Sequence, residues 1–231
     1  MRILAVMLAC LFAAASALAH DLWLEATPEG FVLNYGHAPA SGHAGAANLD
    51  YAPDFVQRAV CVTPAGKRRP VAVAAAYPAR FAVDCVAIWV EASSGAWTTT
   101  VEGTRNVAPT GLEGVVRAWR SIESTKRIES WHEALMVPLA DGFELSPMDN
   151  PLEVARGRKL RVRVTLQGDP VAGANVAYGG ELRGVTGTDG QINVRLREAG
   201  PQFITASVRV PSTEPGVNET VYATTLHFEL E

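Results

Sequence analysis

The stretch LRVRVTL, residues 160–166, decides the fold, because its apolar and polar residues alternate without interruption. Alternation with a period of two predicts a β-strand that is buried on one face and solvated on the other. Further β-like segments follow at regular spacing, at residues 171–177, 182–186, 191–196, 203–210 and 222–230. Short strands at this spacing, separated by turns rich in Gly, Pro and Asp, predict an immunoglobulin-like β-sandwich over residues 150–231.

The N-terminal half also has mostly β character. A four-residue turn signal, Thr27-Pro28-Glu29-Gly30, joins two alternating segments into a predicted hairpin. Segments 85–91 and 96–101 read as two more strands, separated by Ser93-Ser94-Gly95. The predicted class is therefore all-β, built from one or more immunoglobulin-like sandwiches.

Residues 112–131 are the one exception to this β pattern. Val115, Trp119 and Ile122 fall at the i, i+4, i+7 positions of a helical face. This spacing predicts a short helix, and an irregular crossover is the alternative.

Composition narrows the classes of function that the protein could have. The chain has 231 residues, is 48% hydrophobic and carries a net charge of −4, with 20 Lys and Arg residues. This hydrophobic content excludes a disordered chain, and the lack of a basic excess argues against nucleic acid as a partner.

The turn-forming Asp149-Asn150-Pro151 marks the boundary between a mostly-β domain, residues 20–149, and a sandwich domain, residues 150–231.

Residues 1–19 have the features of a cleaved secretory signal. Arg2 precedes an apolar run over residues 3–15, and Ala17-Leu18-Ala19 forms a small-residue cleavage site. The signal predicts that the protein is exported from the cytoplasm. No later stretch reaches the ~18 apolar residues of a membrane span, so none is expected in the mature chain.

Removal of the signal leaves two cysteines, Cys61 and Cys85, each within a β-like segment. Paired cysteines in an exported protein predict one disulfide, with two unpaired buried thiols as the alternative.

Histidines concentrate near the predicted mature N-terminus, at His20, His37 and His43. If the turn pairs Ala26 with Phe31, His20 faces His37 on the neighbouring strand. Directly opposed residues have Cβ atoms roughly 4.5–5.5 Å apart, which lets two imidazoles share one metal ion. A one-residue slip in register would instead put the two rings on opposite faces.

As the first mature residue, His20 would offer its α-amine together with its ring. With His37 it would supply three nitrogens, and His43 could add a fourth. Nitrogen ligands suit nickel, cobalt, copper and zinc, and binding should weaken as pH falls through the imidazole and amine range of ~6.5 to ~8. His132 is a more distant candidate ligand, whereas His227 alternates with Leu226 and Phe228 and is predicted to be structural.

Four motifs together resemble one protein family. They are HDLWLE at residues 20–25, Tyr35-Gly36-His37, LSPMDNP at residues 145–151 and GDPVAGA at residues 168–174. The family is a domain-of-unknown-function family of periplasmic proteins labelled nickel uptake or NikM-subunit-like. This sequence matches the family's pattern of residues at His20 and at His37. It implies a periplasmic protein that binds nickel or cobalt, or assists a membrane transporter that does. Some relatives carry long His-rich loops, which this sequence lacks, so only a compact site is implied.

The leading functional hypothesis is a non-enzymatic metal-binding protein that delivers nickel or cobalt to a membrane importer. A copper histidine-brace oxidase is the second reading, and it would need His132 as the distant brace ligand. The third is an interaction module without metal, in which an aromatic residue such as Trp97 binds a glycan or peptide.

Overall fold

The computed structural model describes residues 21–38 and 47–231, and strands dominate that part of the chain. The strands before residue 130 are β1 Asp21–Thr27, β2 Gly30–His37, β3 Ala47–Asn48, β4 Val56–Val62, β5 Arg68–Val71, β6 Arg80–Phe81, β7 Ala87–Thr100, β8 Gly103–Arg105 and β9 Val115–Ile128. The later strands are β10 Glu144–Pro147, β11 Lys159–Leu166, β12 Asp169–Pro170, β13 Asn175–Tyr178, β14 Glu181–Val185, β15 Gln191–Arg195, β16 Gly200–Pro211 and β17 Glu219–Leu230. Short 3-10 helices span Glu133–Met136 and Pro151–Glu153. The predicted all-β sandwich class is confirmed.

A large sheet runs through the middle of the molecule in the order β14-β13-β16-β17-β9-β7-β4-β5, with β8 also paired to β7. Strands β9 and β17 lie side by side and parallel, although one precedes residue 150 and the other follows it. Strands β10 and β11 also pair across that position. Residues 20–149 and 150–231, predicted as two domains, therefore share hydrogen-bonded sheets.

Smaller sheets cover both faces of the large sheet. The hairpin sheet consists of β1, β2, β3 and β6, and the C-terminal sheet of β10, β11, β12 and β15. Strand β7 shows that the large sheet lies between the hairpin sheet and the C-terminal sheet. Its Ile88 and Val90 pack into the core beneath the hairpin sheet, whereas Ala87 and Trp89 pack into the core beneath the C-terminal sheet. Since alternate residues of a strand point to opposite faces, β7 is buried on both sides.

The predicted disulfide between Cys61 and Cys85 is confirmed, with the two Cα atoms 5.7 Å apart. Both cysteines belong to the core beneath the hairpin sheet, together with Leu24 and Leu33. The covalent link thus joins β4 to the segment that leads into β7.

The helix predicted within residues 112–131 is wrong, because this segment forms β9. The apolar spacing of Val115, Trp119 and Ile122 is coincidental. The segment shows no clear strand alternation either, since polar side chains from Glu123 to Arg127 are buried on both of its faces. Each face of β9 carries polar side chains because it meets a polar group on a covering sheet. The periodicity of apolar residues in a single sequence does not reveal such groups.

The break predicted at Ser93-Ser94-Gly95 is also wrong. Strand β7 continues through these residues, and its pairing with β9 shifts between Ala92 and Gly95. The three residues form a bulge, which bends the strand without ending it.

A buried ion pair ties β9 to the C-terminal sheet. The Lys126 ammonium contacts the Glu144 carboxylate, and both side chains are fully buried. Lys126 also donates to Ser146 Oγ at 3.1 Å, while Glu144 accepts from the backbone N–H groups of Leu139 and Ala140. Burial lowers the pKa of Lys126, and the neighbouring Glu144 carboxylate opposes that shift.

We expect Lys126→Met to lower the free energy of unfolding by about 3–5 kcal/mol, because it leaves the Glu144 charge buried without its cation. Urea denaturation followed by circular dichroism measures this change. The matched control is Lys159→Met, because the Lys159 side chain is exposed at the start of β11, and this variant should stay within about 0.5 kcal/mol of wild type. A loss at Lys126 as small as that at Lys159 would contradict the assigned role.

Candidate functional site

The register of the N-terminal hairpin is the one predicted. Leu22 pairs with Tyr35, Leu24 with Leu33, and Ala26 with Phe31. His37 is the last residue of β2 and is half-buried. The pairing is described as far as Asp21 opposite Gly36, whereas His20 and His43 lie outside the described residues.

His132 lies at the other end of the hairpin from His37. It follows β9 and caps the 3-10 helix at Glu133–Met136, where its Nδ1 accepts the Ala134 N–H at 3.0 Å. Glu129, at the same end of β9, borders a cavity with the turn residue Gly30. Since β2 is eight residues long, His37 is roughly 20 Å from that turn.

The His132 ring also packs tightly against Gly66. A Cβ atom added to Gly66 would lie 2.1 Å from Cε1 of this ring. Within residues 21–38 and 47–231, no group of three or more His, Cys, Asp or Glu side chains is placed to hold a metal ion.

His227 lies on the face of β17 opposite Leu226 and Phe228, as its alternation predicts. The ring is buried, stacks on Phe203 at 4.1 Å, and lies between the Leu24 carbonyl and the Arg127 guanidinium. A carbonyl only accepts and a guanidinium only donates, so Nδ1–H donates to Leu24 and Nε2 accepts from Arg127. Burial, reinforced by Arg127, lowers the pKa of His227 to about 3, against the opposing hydrogen bond to Leu24.

This environment predicts a loss of stability in acid. Between pH ~6.5 and about 3 the unfolded chain takes up a proton at His227 that the folded chain excludes. The free energy of unfolding should therefore fall by up to ~1.4 kcal/mol per pH unit as pH decreases through this range. Urea titrations at several pH values should show a shallower slope for His227→Gln. Parallel curves for the two proteins would contradict the assignment.

A cleft opens beside the hairpin, where the β7 bulge leaves the large sheet incompletely covered. Its volume is about 610 Å³. The residues that line it are Tyr35, Leu49, Asp50, Tyr51, Ala52, Asp54, Phe55, Gln57, Ser93, Ser94, Gly95, Trp97, Asn106 and Arg120. The sequence suggests Trp97 as a binding residue but does not predict the cleft, because Ser93-Ser94-Gly95 is predicted there as a turn and not as a bulge.

Glu123 lies behind the cleft wall formed by Ser94. Its Oε1 accepts hydrogen bonds from Ser121 Oγ at 2.6 Å and from Ser94 Oγ at 3.3 Å. Trp97 Nε1 donates to the same Ser94 hydroxyl at 3.0 Å, so the wall and the carboxyl group form one network. The side chain is only 6% exposed, and among the residues that the structure describes its Oε2 has no hydrogen-bond partner.

The buried carboxyl also affects its surroundings. Burial raises the pKa of Glu123, although the hydrogen bonds from Ser121 and Ser94 oppose the shift. The pKa of Tyr35 is raised in turn, mainly by burial and further by the Glu123 charge. Only the folded chain brings the Glu123 carboxyl close enough to affect the pKa of Tyr35, and Glu123 belongs to none of the motifs quoted from the sequence.

Comparison with known proteins identifies a family. The family model described as a domain of unknown function (DUF4198) matches residues 17–210, so the chain belongs to that family. No curated protein and no solved structure gives a significant match to the chain. None of the helices in the described part of the protein has the length and apolar character needed to cross a bilayer.

Proposed function

We propose that this member of the DUF4198 family is a periplasmic, non-enzymatic protein that binds a divalent transition metal and delivers it to a membrane importer. Nickel or cobalt is the favoured cargo, and His20 and His37 are the proposed ligands. The observation that carries the proposal is the hairpin register, which runs from Thr27–Gly30 to Asp21–Gly36 without a shift. The next pair in the same register would be His20 with His37.

The position of His37 supports a ligand role. Alternation along β2 puts it on the face that carries Leu33 and Tyr35, at the end of the strand. Leu33 is fully buried, whereas His37 is half-buried. Ligands at the margin of a packed core are held in place by their neighbours while remaining accessible to an ion.

The proposed ligand set depends on signal cleavage after Ala19. Cleavage there would make His20 the first residue, so that its α-amine and ring could chelate one ion while His37 adds a third nitrogen. Three nitrogen ligands leave coordination positions open, which suits a cargo ion that has to be released. Copper and zinc would also bind such a set, and copper(II) would bind more tightly than nickel.

The copper histidine-brace alternative is less well supported by the contacts of His132. A brace requires a second histidine beside the N-terminal one, but the Nδ1 of His132 accepts a backbone hydrogen bond and its ring is packed on Gly66. We therefore favour His37 as the partner of His20.

Calorimetric titration of the processed, tag-free protein with nickel(II) tests the ligand set. We expect His37→Ala to weaken binding by about 100-fold, if a binding free energy of order 10 kcal/mol is shared among three or four ligands. One extra residue before His20 should weaken binding similarly, because it converts the chelating amine into an amide.

The matched control is His132→Ala, which should bind nickel as wild type does. Loss of binding in this variant, with His37→Ala unaffected, would favour the brace arrangement and overturn the proposed set. Equal, tight binding by the extended and processed proteins would remove the α-amine from the site.

A further inference from the structure

Aromatic side chains form part of the wall of the cleft beside the hairpin. Tyr51 and Phe55 have ring centroids 4.8 Å apart, and Tyr35 and Phe55 are 5.0 Å apart. Tyr51 is held in place, since its hydroxyl donates to the Leu33 carbonyl and accepts from the Ala79 N–H. This wall is therefore pre-formed, which reduces the entropy lost when a ligand binds.

Trp97 supplies a further aromatic surface of the cleft. It stacks on Trp119 across the strand pair, with the two rings 6.1 Å apart and nearly parallel. Its indole N–H is engaged by Ser94 Oγ, and Asn106 donates to the carbonyl groups of Ser94 and Ala96 on the same bulge. The bulge thus holds Trp97 in a defined orientation at the cleft.

The charges around the cleft favour a cation. Asp50 and Asp54 line it, and the Glu123 carboxyl lies behind Ser94. The lining cation Arg120 is already paired with Glu214, through hydrogen bonds of 2.7 and 2.5 Å. The acidic side chains are therefore not balanced by Arg120, and the cleft has an excess of negative charge.

The buried Glu123 carboxyl is a specific group that a cation in the cleft would stabilise. A buried carboxyl oxygen without a hydrogen-bond partner is costly, and most such atoms in native proteins have one. The Glu123 side chain lies on the hairpin side of the large sheet, beside Tyr35 and Ser94, both of which line the cleft. A cation in the cleft would stabilise this carboxylate without a direct contact.

We propose that this cleft is a binding site for a small organic cation of the alkylammonium class. Aromatic faces attract ammonium groups through the ring quadrupole, and quaternary ammonium ions are bound in aromatic cages of this kind. Asp50 and Asp54 supply the negative field, and a bound cation would favour the ionised form of the buried Glu123. Trp97, Tyr51 and Tyr35 supply the ring surfaces. The site is independent of the proposed metal function, because His37 is not among the residues that line it.

Two probes of equal shape test the proposal. Calorimetry and tryptophan fluorescence would compare choline with 3,3-dimethyl-1-butanol, its neutral isostere, on protein stripped of metal by a chelator. We expect choline to bind at least about tenfold more tightly than the alcohol, which corresponds to about 1.4 kcal/mol. Because the protein is free of metal, a lack of choline binding would not bear on the proposed metal site. A lack of nickel binding would likewise not bear on the proposed cation site.

Variants assign the effect to the cleft. Glu123→Gln, which is isosteric, and Asp54→Asn, which is exposed, should each weaken choline binding several-fold without changing thermal stability greatly. The matched control Asp169→Asn removes an equally exposed carboxylate from β12 and should bind choline as wild type does. Trp97→Leu should abolish binding.

Three results would overturn the proposal. They are equal affinities for choline and the alcohol, no choline binding at millimolar concentration, and choline binding that is unchanged in both acidic variants. Binding of a neutral oligosaccharide such as maltose with loss in Trp97→Leu, but without choline binding, would identify the cleft as a glycan site.

Discussion

The fold depends on strands β7 and β9, which are buried on both faces in the middle of the large sheet. The hairpin sheet covers one face and the C-terminal sheet covers the other, so each central strand contributes side chains to two cores. Strand β7 meets this demand with apolar residues such as Ile88 and Trp89. The two covering sheets pack against these faces, and the remaining strands of the large sheet extend it at its two sides.

Strand β9 meets the same demand with polar residues, and each of them needs a partner. Lys126 reaches Glu144 on the C-terminal side, and Arg127 on the opposite face donates to the Leu24 carbonyl of the hairpin. Burying a polar side chain is costly unless it is hydrogen-bonded, and most buried polar groups in native proteins are. These contacts therefore specify where both covering sheets lie, which apolar packing by itself does less strictly.

Both proposed binding sites lie along the hairpin sheet. Its register positions His37 at the end of β2, where the metal ligands are proposed. The hairpin also brings Tyr35 over the large sheet beside Glu123, and the β7 bulge opens the cleft next to it. One small sheet thus borders two surfaces of different chemistry, one defined by histidine and the other by aromatic and acidic side chains.

The sequence by itself determined the β class, the disulfide between Cys61 and Cys85, and the hairpin register. These follow from local alternation, turn chemistry and cysteine count, all of which act over short stretches or in isolation. Tertiary structure alone decided that residues 112–131 contain a strand, that Ser93–Gly95 is a bulge, and that strands on both sides of residue 150 share one sheet. The physical reason is that buried polar residues of β9 such as Lys126 are paired with groups far away in the sequence, here Ser146, twenty residues on. No local pattern encodes such contacts, so the cleft and its buried Glu123 appear only when the three layers are assembled.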